Sequence, residues 1–127
     1  MADESPASTA TGRARSRRVF QIAYDQALLF TRAELLKSRG YVVESAFGNE
    51  EAKRHLAGGS GFDLFIIGHA ADSRTREEMA NWIRERFHGV RILALNPPYQ
   101  PELANADFNI RQNGPEAWLE LLSNKLL

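Results

Sequence analysis

The sequence predicts an α/β fold: an open parallel sheet of five strands with helices on both of its faces. Two observations predict it. From Val19 onward, strand-like and helix-like segments alternate along the chain, which is the pattern of a parallel sheet with helical crossovers. The third strand-like segment, residues 62–67, is apolar almost throughout, which is typical of a central strand buried on both faces.

The length and composition are those of one globular domain. The chain has 127 residues, of which 43% are hydrophobic and 25% charged, so a mostly disordered or low-complexity protein is excluded. The formal net charge is zero, so no overall field attracts nucleic acid. The chain contains no cysteine, which excludes disulfides, thiolate catalysis and iron–sulfur clusters. A buried apolar core must therefore hold the fold.

A shift in composition divides the chain into an N-terminal arm, residues 1–18, and a folded domain, residues 19–127. The arm has no large apolar side chain after Met1, so we expect it to be flexible. Its arginine cluster would bind nucleic acid only weakly at physiological salt: Arg13, Arg15, Arg17 and Arg18. The chain has no apolar run near the roughly 20 residues that span a bilayer and no apolar signal region. We therefore expect a cytoplasmic protein without a membrane partner.

The first half of the domain predicts two strands and two helices. Residues 19–24 and 41–46 have the length and the apolar or β-branched content of strands. Residues 27–39 between them show a helical pattern that Gly40 is placed to end. The apolar stripe of this helix is Leu29, Ala33 and Leu36. Asn49 is expected to cap a second, short helix.

The third strand, residues 62–67, follows a glycine-rich connector, residues 58–61. Residues 75–78 then match a capping box that opens a third helix. Its apolar stripe is Met79, Trp82, Ile83 and Phe87. The arginines in and before this helix are interpreted as its solvated face: Arg74, Arg76, Arg84 and Arg86. Both tryptophans of the chain, Trp82 and Trp118, are interpreted as core residues.

The last part of the chain predicts two strands and a final helix. Residues 90–95 form the fourth strand, which Asn96 and two prolines stop. The segment up to the fifth strand, residues 107–110, offers at most about one helical turn. Pro115 suits the first position of a helix that continues to the end of the chain.

Ligands of parallel sheets bind beyond the carboxyl ends of the strands. In this sequence those positions hold the following residues: Tyr24, Asp25, Gly68, His69, Asn96, Arg111 and Gln112. The lone His69 is interpreted as a solvated loop residue. It shares no metal-ligand spacing with His55 or His88, so a zinc site is not expected.

Several phrases of the sequence carry a family resemblance when they are taken in order. They are Asp25 after the first strand, LLKSRGYVVESAFGNEEAKRHL, FDLFII, the AD pair before the fifth strand, and GPEAWLELL. Over residues 18–127 the chain thereby resembles the receiver domain of bacterial two-component response regulators. This resemblance implies a flavodoxin-like, CheY-like fold with strand order 2-1-3-4-5. Gln112 follows Asn96 after only sixteen positions, so the fourth helix of that fold is predicted to be shortened to a turn or loop.

The resemblance also implies where phosphotransfer residues should stand, and this chain lacks nearly all of them. Tyr24 and Asp25 stand where the family has an acidic pair, and Gly68 stands at the position of the phosphorylated aspartate. Asn96 replaces a hydroxyl residue. Gln112 and Asn113 stand where Lys-Pro belongs, although a shift of one residue would offer Arg111 as a substitute cation. The resemblance therefore implies a degenerate pocket without a nucleophile.

The predicted function is a pseudo-receiver, a protein-interaction module of two-component phosphorelay signalling without aspartyl phosphorylation. Gly68 and Gln112 belong together in this interpretation, because an ammonium beside a missing carboxylate would be an uncompensated buried charge. We expect no enzyme activity, no cofactor and loss of the Mg²⁺ site. The partner is expected to be a sensor kinase, another regulator or a second copy of the chain in a homodimer, and the sequence does not choose between them.

Two alternatives stay open. One is a phosphorylatable receiver with a displaced acceptor, Asp25 or Asp72. The other is a small flavodoxin-like ligand-binding protein or enzyme. Against the second, residues 24–28 lack the small, hydroxyl-rich side chains that cradle a phosphate after a first strand.

Overall fold

The computed structural model describes residues 17–59, 61–111 and 115–123. Its centre is one parallel sheet in the order β2-β1-β3-β4-β5. The strands are β1 (Arg18–Ala23), β2 (Val42–Phe47), β3 (Leu64–Ile67), β4 (Arg91–Asn96) and β5 (Phe108–Arg111). The helices are α1 (Gln26–Ser38), α2 (Gly48–Leu56), α3 (Ser73–Arg86) and α4 (Pro115–Leu121). The predicted fold class and strand order are confirmed.

Parallel pairing brings the carboxyl ends of the strands to one edge of the sheet. β1 lies between β2 and β3, with Ile22 opposite Ile67, and β3 pairs in turn with β4. The interior strands are almost wholly buried, because helices cover both faces of the sheet. β3 begins at Leu64, two residues later than predicted. Phe62 lies before the strand and still packs its ring 5.1 Å from that of Phe20.

Each face of the sheet has its own apolar core. The core on the side of α2 and α3 is rich in phenylalanine, and the ring of Phe65 stacks on that of Phe87 at 5.8 Å. The core on the side of α1 and α4 is mainly aliphatic around Trp118. Burying each large apolar side chain contributes about 1.5–3 kcal/mol. The prediction that Trp118 is a core residue is confirmed, whereas Trp82 is only partly buried and has the Arg86 guanidinium 4.8 Å from its ring centroid.

Two helices start differently from the prediction. α3 begins two residues before the predicted capping box at residues 75–78, because Asp72 already caps it: its Oδ1 accepts a hydrogen bond from the Thr75 amide at 2.8 Å. Asn49 lies inside α2 and does not cap it. Its side chain is engaged elsewhere, because Oδ1 accepts a hydrogen bond from the Tyr24 hydroxyl and Nδ2 donates to the carbonyl of Thr75. Both predicted caps are therefore wrong.

The connection between β4 and β5 is an irregular loop, residues 97–107, without a helix. The predicted shortening of the fourth receiver helix is thereby confirmed. Leu103 of the loop is buried, and its amide donates to Oδ1 of Asn109 at 2.9 Å. Two arginines outside the loop also donate to its carbonyl oxygens: Arg84 and Arg111. The loop is thus fixed in place, while the Tyr99 side chain on it is 94% exposed.

Most of the predicted N-terminal arm, including Arg13 and Arg15, lies outside the described residues. Arg17 is exposed, and Arg18 is the first residue of β1. The sheet therefore begins one residue before the predicted boundary. The Arg18 amide donates to Oδ2 of Asp63 at 2.8 Å. In the described part of the chain, no helix combines the length and the apolar content that a membrane crossing requires.

Candidate functional site

The carboxyl edge of the sheet holds four of the five residues predicted to form the degenerate pocket. Tyr24 and Asp25 follow β1, Gly68 follows β3, and Asn96 is the last residue of β4. The fifth, Gln112, lies outside the described residues. Two arginines also reach this edge: Arg32 from α1 and Arg76 from α3.

A side chain at the end of β3 would have to displace the end of the Arg32 side chain. A Cβ atom on Gly68 would lie 2.7 Å from Nη1 of Arg32 and 3.2 Å from the carbonyl oxygen of Ile22. The Gly68 amide donates to the same carbonyl oxygen at 2.9 Å. The Arg32 guanidinium therefore occupies the space that a side chain at position 68 would need.

Arg76 is wholly buried and is held by neutral acceptors. Its Nε donates to the carbonyl of Gly68 and its Nη2 to the carbonyl of Leu95, both at 2.8 Å. Nη2 also donates to Oδ1 of Asn96 at 2.7 Å, and Nη1 donates to Oε1 of Gln100 at 3.3 Å. Burial lowers the pKa of Arg76 from its ordinary value. The prediction that Arg76 belongs to the solvated face of its helix is therefore wrong.

Arg32 is almost as deeply buried, at 3% exposure, but it has fewer partners. It lies on the buried face of α1 together with Ala33 and Leu36. Its Nη2 is 3.0 Å from Nδ1 of His69, and this is the hydrogen bond that the guanidinium makes within the described residues. Burial lowers the pKa of Arg32 to about 10, although the negative charge of Asp25 opposes that shift. The side chain is therefore positively charged at neutral pH.

Tyr24 and Asp25 do not form an acidic pair. The Tyr24 hydroxyl donates to Oδ1 of Asn49 at 2.7 Å, and burial raises its pKa far above the ordinary value, so it stays neutral. Asp25 is exposed and caps α1, since its Oδ1 accepts a hydrogen bond from the Leu28 amide at 3.0 Å. The one carboxylate that follows β1 is thus engaged by the helix.

Asn96 links Arg76 to β5. Its Oδ1 accepts from Arg76, and its Nδ2 donates to Oδ1 of Asn109 at 2.8 Å. Arg111, which the sequence offered as a substitute cation, is exposed and donates to the carbonyls of the Pro97–Pro98 pair instead. Asn96 therefore uses its oxygen toward Arg76 and its nitrogen toward β5.

His69 is partly exposed and lies beside the two arginines. Its pKa is lowered by partial burial first, and then by the positive charges of Arg32 and Arg76, while Asp25 opposes the shift. The ring is therefore neutral at neutral pH. Because Arg32 donates to Nδ1, the ring hydrogen resides on Nε2. His69 is thus a partly exposed loop residue, but it is not a lone one, because it has a hydrogen-bond partner.

The receiver family that the sequence resembles implies a magnesium ion at this edge. Mg²⁺ takes oxygen ligands and is usually held by one or two carboxylates. Within the ranges that the structure describes, no group of three or more histidines and acids is positioned to hold a metal ion. Asp25 is the carboxylate that follows β1, and two guanidinium charges lie at the same edge. These residues do not fit a divalent cation.

Solved structures match this fold, although no protein-family model and no curated protein matches the sequence. The response regulator TrrA from Thermotoga maritima, in complex with Mg²⁺-BeF, is similar with a TM-score of 0.73 and 23% identity, over 87% of this chain and 99% of that one. TrrA in complex with the histidine kinase ThkA gives the same TM-score and identity, over 87% and 98%. The chemotaxis response regulator CheY4 of Vibrio cholerae is similar with a TM-score of 0.73 and 22% identity, over 89% and 100%.

The chain has the fold of a response regulator receiver domain. The family resemblance read from the sequence is therefore confirmed at the level of the fold. Sequence identities of 22–23% show a shared fold but not a shared activity, which depends on the residues at the site. Those residues are a glycine, two buried arginines and a histidine where phosphotransfer would need carboxylates.

Sequence reasoning missed Arg32 and Arg76, although a signal for both was present. Arg76 lies three residues before Met79, on the stripe that faces the sheet. Arg32 lies four residues before Leu36, on the corresponding stripe of α1. Helical spacing alone places each arginine among buried residues. The charge of Arg76 led instead to its assignment to the solvated face.

Proposed function

We propose that the chain is a pseudo-receiver: a cytoplasmic protein-interaction module of two-component signalling that is not phosphorylated on aspartate and catalyses no reaction. The receiver fold supports the signalling context. The absence of a side chain at Gly68, together with an arginine in the space that it leaves, supports the loss of phosphorylation. The misfit of the edge to Mg²⁺ supports the loss of the metal.

The observation that carries the proposal is the contact between Gly68 and Arg32. Phosphoryl transfer to a receiver needs a carboxylate that attacks phosphorus while a metal ion neutralises the developing charge. At the end of β3 this chain has a backbone CH₂ group, and a guanidinium nitrogen is the side-chain atom nearest to the place where a Cβ would lie. A guanidinium is not a nucleophile, and its positive charge repels the metal ion that phosphotransfer requires.

The test is incubation of the purified chain with Mg²⁺ and a small phosphodonor, followed by intact mass spectrometry. A response regulator that retains its aspartate serves as the positive control in the same reaction. We expect the mass of this chain to stay unchanged while that of the control rises. A phosphoryl adduct on this chain would overturn the proposal.

The second candidate, phosphorylation at a displaced acceptor, rests on the position of Asp25. Its charge acts on both Arg32 and His69, so the carboxylate lies near the pocket. Asp72 is the other acceptor, but it is an exposed cap whose hydrogen bonds to Thr75 lower its pKa. If an adduct forms, peptide mapping together with Asp25→Asn and Asp72→Asn variants identifies the acceptor. A purified protein that carries bound nucleotide or colour would instead favour the flavodoxin-like ligand-binding alternative.

The proposed partner is another two-component protein, and a sensor kinase is the first to test. The response regulator TrrA, which has the same fold, is seen in complex with the histidine kinase ThkA. The loop that replaces the fourth helix presents Tyr99 at 94% exposure, and exposed aromatic residues often anchor interfaces. Val42 is also exposed, on the edge strand β2, and provides a matched control.

The partner experiment titrates labelled chain with the cytoplasmic parts of sensor kinases from the same host. We expect Tyr99→Ser to weaken a complex by about tenfold and Val42→Ser to leave it unchanged. Sedimentation of the chain alone tests the homodimer in the same way. Equal effects of the two substitutions would contradict the assignment of the interface to the loop.

A further inference from the structure

Two buried guanidinium groups reach one peptide unit from opposite faces of the sheet. Arg32 comes from α1, and its Nη1 fills the space beside Gly68. Arg76 comes from α3, and its Nε donates to the carbonyl of Gly68 at 2.8 Å. Both side chains are positively charged at neutral pH, because guanidinium groups do not lose their proton in proteins.

Buried charges in proteins are normally paired with opposite charges. The ion pairs within the described residues include neither Arg32 nor Arg76. The acceptors of Arg76 are all carbonyl or amide oxygens, which carry no charge. Asp25 is exposed and caps α1 with its Oδ1. The carboxyl end of β3 therefore has an excess of positive charge without a bonded counter-charge among those residues.

His69 lies between the buried Arg32 and the solvent. Its ring is partly exposed, and its Nδ1 accepts a hydrogen bond from Arg32. The hydrogen on Nε2 is therefore a second donor next to the guanidinium. A guanidinium has five N–H donors in a planar arrangement that matches carboxylate and phosphate oxygens. Within the described residues Arg32 uses one of them, so it has donors left for a ligand.

We propose that the carboxyl end of β3 is a reversible binding site for a small oxyanion. Arg32 and His69 donate hydrogen bonds to its oxygens, and its negative charge compensates the two buried arginines. Phosphate, sulfate and carboxylate groups share this chemistry. The inference does not rest on the proposed function, because it requires neither an aspartate nor a partner protein.

The binding experiment titrates the full chain with sodium sulfate, inorganic phosphate and malonate, each by calorimetry in chloride buffer at constant ionic strength. We expect saturable binding with a Kd of about 1 mM or tighter. Preference for sulfate and phosphate would support a phosphoryl-type ligand, and equal binding of malonate would support a carboxylate ligand. Absence of saturable binding of all three would overturn the proposal.

The imidazole resonances provide a second readout in the unaltered protein. A bound anion favours the charged imidazolium, so sulfate is expected to raise the pKa of His69 from its lowered value. His88 is exposed and serves as the internal control. Equal movement of both histidines would show general screening and would overturn the site.

Variants then test which groups bind the anion. Arg32→Met is expected to weaken sulfate binding by about tenfold or more, whereas Arg39→Met, at an exposed arginine directly after α1, leaves it unchanged. Gly68→Asp places a carboxylate beside the two arginines and is expected to weaken binding equally, because it supplies an internal counter-charge. Gly68→Asn has the same size without the charge; because any side chain here displaces Nη1 of Arg32, it is expected to weaken binding too, but less than Gly68→Asp does.

These variants give clear outcomes even if one of them does not fold. Unchanged affinity in Arg32→Met or in Gly68→Asp would overturn the proposal. The test is also separate from that of the proposed function. A covalent phosphoryl adduct would contradict the pseudo-receiver and leave the sulfate titration unaffected, and a failed titration would leave the mass measurement unaffected.

Discussion

The two sides of the site hold their arginines in different ways. On the α3 side, Arg76 donates to four neutral oxygens that belong to four residues. On the α1 side, Arg32 has one hydrogen-bond partner within the described residues, His69. The same side contains Oε1 of Gln21, which is buried and has no hydrogen-bond partner in the described part of the chain. Within the described residues Arg76 is thus more fully hydrogen-bonded than Arg32, whose remaining N–H donors can bind an anion. Oε1 of Gln21 is an acceptor and cannot bind an anion.

The largest expected effect is that of Arg76→Met. The substitution removes the charge but leaves buried acceptors on Gly68, Leu95 and Asn96 without their donor. Each such acceptor costs about 1–3 kcal/mol, so we expect a loss of about 3 kcal/mol in the free energy of unfolding, measured with urea. Arg74→Met, at an exposed position of the same helix, is the matched control. A loss below about 1 kcal/mol would contradict the structural role of Arg76.

Tyr24→Phe is expected to have the next largest effect. It removes the hydroxyl that donates to Oδ1 of Asn49 at 2.7 Å, and Asn49 in turn donates to the carbonyl of Thr75. We expect a loss of about 1 kcal/mol by urea unfolding, the usual cost of one partly buried hydrogen bond. Tyr99→Phe, at an exposed position, should change nothing. Wild-type stability in both variants would show that the α3 side does not depend on this hydrogen bond.

Arg32→Met is expected to act in the opposite direction from Arg76→Met. In chloride buffer it removes a buried charge that has no bonded counter-charge among the described residues and keeps most of the side-chain volume. We expect no loss of stability and a gain of about 1 kcal/mol, measured as before with Arg39→Met as the control. A loss of unfolding free energy as large as that of Arg76→Met would show that the two arginines are held equally well by their hydrogen bonds.

The smallest effect is expected from pH. The pKa of His69 is lowered in the folded chain, so in acid the unfolded chain binds a proton that the folded chain does not. Stability is therefore complete above the unfolded pKa of about 6.5 and falls as the pH decreases from there towards the folded pKa. The contribution is small because the ring is partly exposed. Unfolding at pH of about 7.5 and about 5.5 should show a weaker pH dependence in His69→Gln than in His88→Gln, and identical slopes would contradict it.

The fold could be predicted from the sequence because each strand and helix shows its own local pattern of apolar residues. The apolar run before Gly68 and the alternation of strands and helices were sufficient for the sheet and its class. The starts of helices were less predictable, since several polar residues near each start compete to cap it. At α3, both Asp72 and Thr75 are residue types that cap helices. The structure uses Asp72, whose Oδ1 accepts a hydrogen bond from the Thr75 amide.

The site could be predicted only in part. The glycine at position 68 is visible in the sequence, because a missing side chain needs no geometry to be recognised. Arg76 was assigned to the solvent because charged residues are rarely buried, and that rule fails where neutral acceptors from separate strands converge. Those acceptors, the carbonyls of Gly68 and Leu95, lie far apart along the chain and meet only in the folded sheet.

One side chain of the loop that replaces a helix contacts a buried cation. Gln100 follows the exposed Tyr99, and its Oε1 accepts a hydrogen bond from Arg76, which also holds the carbonyl of Gly68. A protein bound at Tyr99 would therefore affect Arg76 through Gln100, and an anion at the end of β3 would affect the same side chain through Gly68. If each ligand changes how Arg76 is held, each must change the affinity of the other by the same factor. Pocket and surface would then communicate through a reversibly bound ligand.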